Sequence, residues 1–172
     1  MTSQLILLRH GKSDWDTPSD SDCDRPVSAR GITEISLIAD KLAPFISDKT
    51  CIICSPAVRT RESLALAQPF WPDCKTVFDE RVYEASISQL LDSLQDYGEH
   101  SSVVIIGHNP GLVMLLNLLL LDGSWTSQTA HFPTSIAAVL SSSVAHCGLM
   151  NAQSASLVAL LKPKDFIGAT LS

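Results

Sequence analysis

The chain has 172 residues, 45% of them apolar, 17% charged, and a mean hydropathy of +0.19. That length suits one domain spanning residues 1–172, and the low charge with ample apolar content argues against disorder. A formal charge of −6 argues against general affinity for nucleic acid or an anionic membrane, while leaving room for a local basic pocket.

The first residues lack a cationic segment ahead of a long apolar stretch, so no signal peptide is expected. The longest apolar run, Leu112 to Leu121, is broken by Asn117 and falls short of the roughly 20 residues that span a bilayer. The expectation is a cytoplasmic monomer with neither nucleic acid nor membrane as partner. The five cysteines, Cys23, Cys51, Cys54, Cys74 and Cys147, are odd in number, which disfavours a disulfide framework. Cys51-Ile52-Ile53-Cys54 matches a CxxC pattern but lies in a β-branched run. On a strand, positions i and i+3 face opposite sides, and no second CxxC completes a zinc site, so these read as buried thiols.

In chain order, Gln4 to Arg9 reads as a strand buried on both faces, ending at Arg9-His10-Gly11. A polar stretch from Lys12 to Pro26 follows, with Asp14, Asp16, Asp20, Asp22 and Asp24. A calcium loop starting at Asp20 would need glycine and glutamate where Arg25 and Gly31 stand, so the stretch reads as a solvated acidic loop. Ile32, Ile35, Ile38, Ala39 and Leu42 fall at helical spacing within 28–45, with Ser28 as N-cap and Pro44 near the end. Cys51 to Cys54 is the second strand, 57–68 a helix closed by Pro69 and Pro72, and Lys75 to Phe78 a third strand. Ile87, Leu90, Leu91 and Leu94 place a helix over 86–95. Ser102 to Gly107 is the clearest strand and runs into His108-Asn109-Pro110-Gly111. Asn109 ahead of Pro110 signals the start of a helix running to Leu121. Two more strands, 136–142 and 156–161, are joined closely enough to pair antiparallel. This alternation predicts an α/β fold, a mostly parallel central sheet between helices on both faces.

Three strand ends then carry polar groups: Arg9 and His10, the segment from Ser55 to Arg61 with Arg59, and His108 with Asn109. In a parallel arrangement they share one edge of the sheet. Guanidinium forks match phosphate oxygens, and helix N-termini supply backbone donors, so the set suits a phosphoryl group. No convincing cluster of metal ligands is present, and no cofactor is expected.

Arg9-His10-Gly11, Ser55-Pro56-Ala57-Val58-Arg59-Thr60 and Gly107-His108-Asn109-Pro110-Gly111 resemble, in order, the landmarks of the histidine phosphatase superfamily, which has the phosphoglycerate-mutase-like fold. Asp24-Arg25-Pro26, Arg81-Val82-Tyr83-Glu84-Ala85-Ser86 and Phe132-Pro133-Thr134-Ser135 are similar to its small branch, the SixA-type phosphohistidine phosphatases. The resemblance implies a three-layer sandwich and a metal-independent phosphatase in which His10 is transiently phosphorylated. Arg9, Arg59 and His108 would surround the phosphoryl group, and Asn109 would either face it or cap its helix. Glu84 lies in the region where larger members carry their proton donor. It is either that acid or a polar turn residue. The implied partner is a phosphorylated protein histidine, and the alternative a small phosphate ester with Glu84 as general acid. A binding module that reads phosphohistidine without cleaving it, and a mutase, are the further rivals. Arg61 reads as a helix-surface residue, Lys12 and Ser13 as a solvated turn or phosphate contacts, and Arg25 as a residue of the pocket rim. His100, His131 and His146 carry no motif. Asp16 would repel phosphate and is expected to point away.

Overall fold

A computed structural model of the chain describes residues 2–120 and 131–167. Six strands, β1 (Ser3–Arg9), β2 (Cys51–Cys54), β3 (Lys75–Phe78), β4 (Ser102–Gly107), β5 (Ala137–Ser142) and β6 (Ala155–Leu161), form one sheet. Their order is β3-β2-β4-β1-β5-β6. β1, β2, β3 and β4 run parallel, while β5 and β6 join antiparallel at one edge. The parallel strands need covered faces, and the sequence supplies them. Leu5, Leu7, Val103 and Ile105 point to one side, where α3 (Ile87–Tyr97) and α4 (Gly111–Leu119) pack with Leu90, Leu94, Leu112 and Leu116. Ile6, Leu8, Val104 and Ile106 point to the other, under α1 (Ala29–Leu42) and α2 (Val58–Ala67). Each such side chain contributes about 1.5–3 kcal/mol on burial, before the entropy of ordering it. The chain is α/β with helices on both faces of a mostly parallel sheet, as the alternation predicts.

The helix ends follow from local chemistry. Ser28 caps α1 by accepting from the Gly31 N–H at 3.2 Å. Ser86 and Gln89 form a reciprocal capping box on α3. Past Leu42 the chain tightens into a 3₁₀ turn over Ala43–Phe45, where Pro44 cannot continue the α-helical ladder. α4 departs from expectation. It starts at Gly111 with Pro110 in the capping position and no side-chain cap, because the Asn109 amide donates across to the Phe132 carbonyl at 2.6 Å. Its last residue is Leu119, and Leu121 lies outside the described residues. Cys51 and Cys54 are buried in β2, and burial pushes both thiols up, Cys54 to about 12.

The parallel register brings the carboxyl ends of β1, β2 and β4 together. Arg9 lies beside Gly107, the His10 N–H donates to the Gly107 carbonyl at 3.2 Å, and the Ser55 N–H donates to the Ile106 carbonyl at 3.0 Å. Behind His10 the chain must lie hard against the first turn of α1. A Cβ on Gly31 would sit 2.5 Å from the Lys12 carbonyl oxygen, and one on Gly11 would sit 2.9 Å from Val27. Only glycine at both positions lets the two segments touch.

Candidate active site

A cleft of about 490 Å³ opens at this sheet edge, and Arg9, His10, Arg59 and His108 all line it, with Asn109 and Glu84. His10 is buried, and its Nδ1 lies 2.7 Å from the Gly11 carbonyl. A carbonyl oxygen only accepts, so Nδ1 carries the hydrogen and Nε2 keeps its lone pair. Burial first, then the charges of Arg59, Arg9 and Arg25, lower its pKa to about 4, while the bond to Gly11 opposes the shift. The imidazole is therefore neutral at pH 7.

His108 lies beside it, with ring centroids 5.0 Å apart, and Tyr83 meets its ring edge-on at 5.3 Å. Burial, then His10 and Arg59, push its pKa down to about 3. Its Nε2 is 2.8 Å from the hydroxyl of Ser55, a residue with no exposed surface. A hydroxyl both donates and accepts, so this bond suits either neutral tautomer of His108, whose Nδ1 is buried with no hydrogen-bond partner among the described residues. Ser55 marks the strand end in the sequence, but nothing there singles out its hydroxyl as the anchor for a histidine 53 residues away.

The two arginines are held from opposite sides. Arg9 donates from Nη1 to the Phe132 carbonyl at 2.8 Å, the acceptor that Asn109 also uses. Burial and the neighbouring Arg59 charge lower its pKa from the usual arginine value. Arg59 is 4% exposed and donates from Nη1 to the Asp22 carbonyl at 2.6 Å and from Nη2 to the Asp22 carboxylate at 2.9 Å. Tyr83 donates to the same carboxylate at 3.1 Å. These donors hold the Asp22 carboxyl below its usual range against its own desolvation. The loop is solvated, as expected, but one of its aspartates has a further part. Asp16, Asp20 and Asp22 are all exposed, and Asp22 is in addition an ion-pair partner of Arg59. The cause is the closure of the loop at its base, where Ser13 bridges Val27 and the Asp14 N–H donates to the Pro26 carbonyl at 2.9 Å.

Neither expectation for Asn109 describes its contacts in full. It lines the cleft, yet its amide nitrogen goes to Phe132 rather than capping α4, and its Oδ1 is buried without a partner among the described residues. Glu84 is exposed at the cleft with φ of 47°, a left-handed backbone that a non-glycine residue adopts at some cost. Arg25 lines the rim, its guanidinium carbon 3.5 Å above the Trp15 ring and its Nε 3.3 Å from Asp22. Lys12 is exposed there and Ser13 buried, while Arg61 sits on the outer face of α2 beside Phe78. Among the described residues, no group of three His, Cys, Asp or Glu is placed to hold a metal ion. Among the described residues, the buried donors Arg9 Nε, Arg59 Nε and Arg25 Nη1 have no hydrogen-bond partner, and neither has His108 Nδ1. An anion with several acceptor oxygens is the ligand that this donor set matches.

A family model of the histidine phosphatase superfamily, branch 1, matches residues 5–96, a span that holds Arg9, His10, Arg59 and Glu84 and ends before His108. The chain belongs to this superfamily, and with it to the phosphatases. It is 28% identical over 139 residues to an uncharacterized protein of Mycobacterium tuberculosis, covering 77% of this chain and 85% of that one. Among solved structures, a SixA of Agrobacterium tumefaciens is 28% identical, with 94% and 98% of the two chains covered and a TM-score of 0.78. The protein histidine phosphatase SixA in complex with tungstate shares the fold at 20% identity, with 95% and 99% covered and a TM-score of 0.75. No helix of the described residues is long and apolar enough to cross a membrane.

Proposed function

We propose that this protein hydrolyses phosphohistidine on a protein substrate, through a covalent phosphohistidine on its own His10. The observation that carries the reading is the state of His10: a buried, neutral imidazole with Nδ1 tied to Gly11 and Nε2 unprotonated, in a cleft of arginines. In this reading Nε2 attacks phosphorus as the P–N bond to the substrate imidazole breaks. The departing nitrogen takes up a proton from solvent water. Water then attacks the phosphorus on His10, releasing inorganic phosphate and the free nucleophile. Phosphoryl transfer asks mainly for positioning and for stabilisation of charge on the equatorial oxygens. Arg9 and Arg59 provide guanidinium donors for those oxygens, with His108 and Asn109 also lining the cleft. Covalent catalysis divides the hydrolysis into two transfers that use the same donors. A related fold bears the name protein histidine phosphatase and takes tungstate, a tetrahedral oxyanion shaped like phosphate.

A second reading is hydrolysis of a small phosphate ester with Glu84 as general acid. The exposed position of Glu84 at the cleft, on a left-handed backbone, favours it. An alkoxide leaves poorly without a proton, whereas imidazole leaves readily once protonated, so the two readings differ in their need for Glu84. Phosphate release from a phosphohistidine protein and from an alkyl phosphate tests both. The phosphohistidine reading expects Glu84→Gln to keep phosphohistidine turnover within about threefold. Loss of about 100-fold or more on alkyl phosphate, with no phosphohistidine activity in the unmodified enzyme, supports the ester reading instead. His10→Ala abolishes turnover of either substrate.

A further inference from the structure

A second cleft of about 440 Å³ adjoins the first, and Arg30, Pro133 and Thr134 line both. Its lining includes Lys162 and Lys164, and among its apolar lining residues are the buried Ile136 and the exposed Ile167. Glu34 is its one carboxylate, and Arg30 Nε already holds it at 2.6 Å. Among the described residues neither Lys162 nor Lys164 has an ion-pair partner.

The charge of the molecule is divided accordingly. The two clefts together hold seven of the chain's 12 Lys and Arg residues and three of its 18 Asp and Glu residues. The rest of this acidic chain carries five cations against 15 carboxylates. A groove of one sign in a body of the other concentrates ligands of opposite charge and orients them. A simple inorganic anion would use the lysines but gain nothing from the isoleucines of the lining. A peptide segment with an acidic residue beside an apolar one uses both.

We infer that this second cleft seats an acidic segment next to the phosphohistidine of the protein substrate, with Lys162 and Lys164 selecting its charge. The inference rests on the phosphohistidine reading above. Arg30, shared by both clefts, lies where such a segment crosses from one to the other.

The test uses two synthetic phosphohistidine peptides of equal length, one with Asp and Glu flanking the phosphohistidine and one with Asn and Gln, and free phosphohistidine as a third substrate. The unmodified enzyme is expected to prefer the acidic peptide by about tenfold in kcat/KM at low salt, a preference that shrinks as salt rises. The double variant Lys162→Glu, Lys164→Glu is expected to lose that preference and to hydrolyse free phosphohistidine as before, which also reports that it folds. Equal rates on the two peptides, or a preference that survives charge reversal, would overturn the inference while leaving the phosphohistidine reading intact. No phosphate release from any of the three by the unmodified enzyme would overturn both.

Discussion

At the scale of single residues, the site turns on which nitrogen of His10 carries the proton. The Gly11 carbonyl, which can only accept, decides it. The decision has a kinetic consequence. A nucleophile with its pKa lowered to about 4 is already unprotonated at pH 5. After correction for the substrate's own ionisation, kcat/KM should stay level from pH 7 to pH 5 and fall only as pH approaches 4. A fall beginning near pH 6.5 would mean that His10 is not shielded as its surroundings imply. His10, Arg9, Arg59 and His108 were legible in the sequence because each ends a strand or opens a helix in a recognisable tripeptide. Ser55 and Asp22 were not. Their roles depend on pairings 53 and 37 residues away, and no local pattern encodes a hydrogen bond across the sheet edge.

At the scale of elements, the sequence legibly encoded the strands, since β1, β2 and β4 are continuous apolar runs with almost nothing exposed. The acidic loop was harder to read. Five aspartates in 11 residues look uniformly solvated, and composition cannot tell which one the closed loop brings to an arginine. The loop delivers Asp22 to Arg59, so its carboxylate already occupies Nη2, and its main-chain carbonyl Nη1, of a guanidinium proposed to bind phosphate. Two anions on one arginine repel. Asp22→Asn removes that charge and keeps the carbonyl that holds Nη1. It should tighten inhibition by inorganic phosphate about three- to tenfold, with little change in fold stability, because the Asp22 side chain is half open to solvent and its carbonyl stays on Arg59. Weaker phosphate binding in the variant would show that Asp22 instead aims Arg59. The start of α4 shows the same limit from the other side. Asn109-Pro110 reads locally as a cap, yet the asparagine goes to a carbonyl from the distant 131–136 segment.

At the scale of the whole molecule, burying two neutral histidines makes stability depend on pH. In the unfolded chain each takes up a proton near pH 6.5, whereas in the folded chain His10 does so at about 4 and His108 at about 3. Between these values the unfolded state binds more protons, so stability is full above pH 6.5 and declines as pH falls below it. The decline from pH 7 to 5 should approach about 1 kcal/mol per pH unit for each histidine, seen as a falling denaturant midpoint. Replacing both with alanine should flatten that part of the curve. An equal slope in the double variant would trace the loss to other groups. The enzyme reading thus accepts a molecule that is weaker in acid in return for a nucleophile that is ready at neutral pH.

The covalent step at His10 is the centre of the account, and trapping tests it most directly. Enzyme mixed with radiolabelled phosphohistidine protein, quenched within milliseconds in alkaline detergent and digested, should carry phosphate on the peptide containing His10. That phosphate should be lost in acid, retained in alkali and missing from His10→Ala. Phosphate on any other residue, or rapid turnover by an enzyme that never becomes labelled, would contradict it.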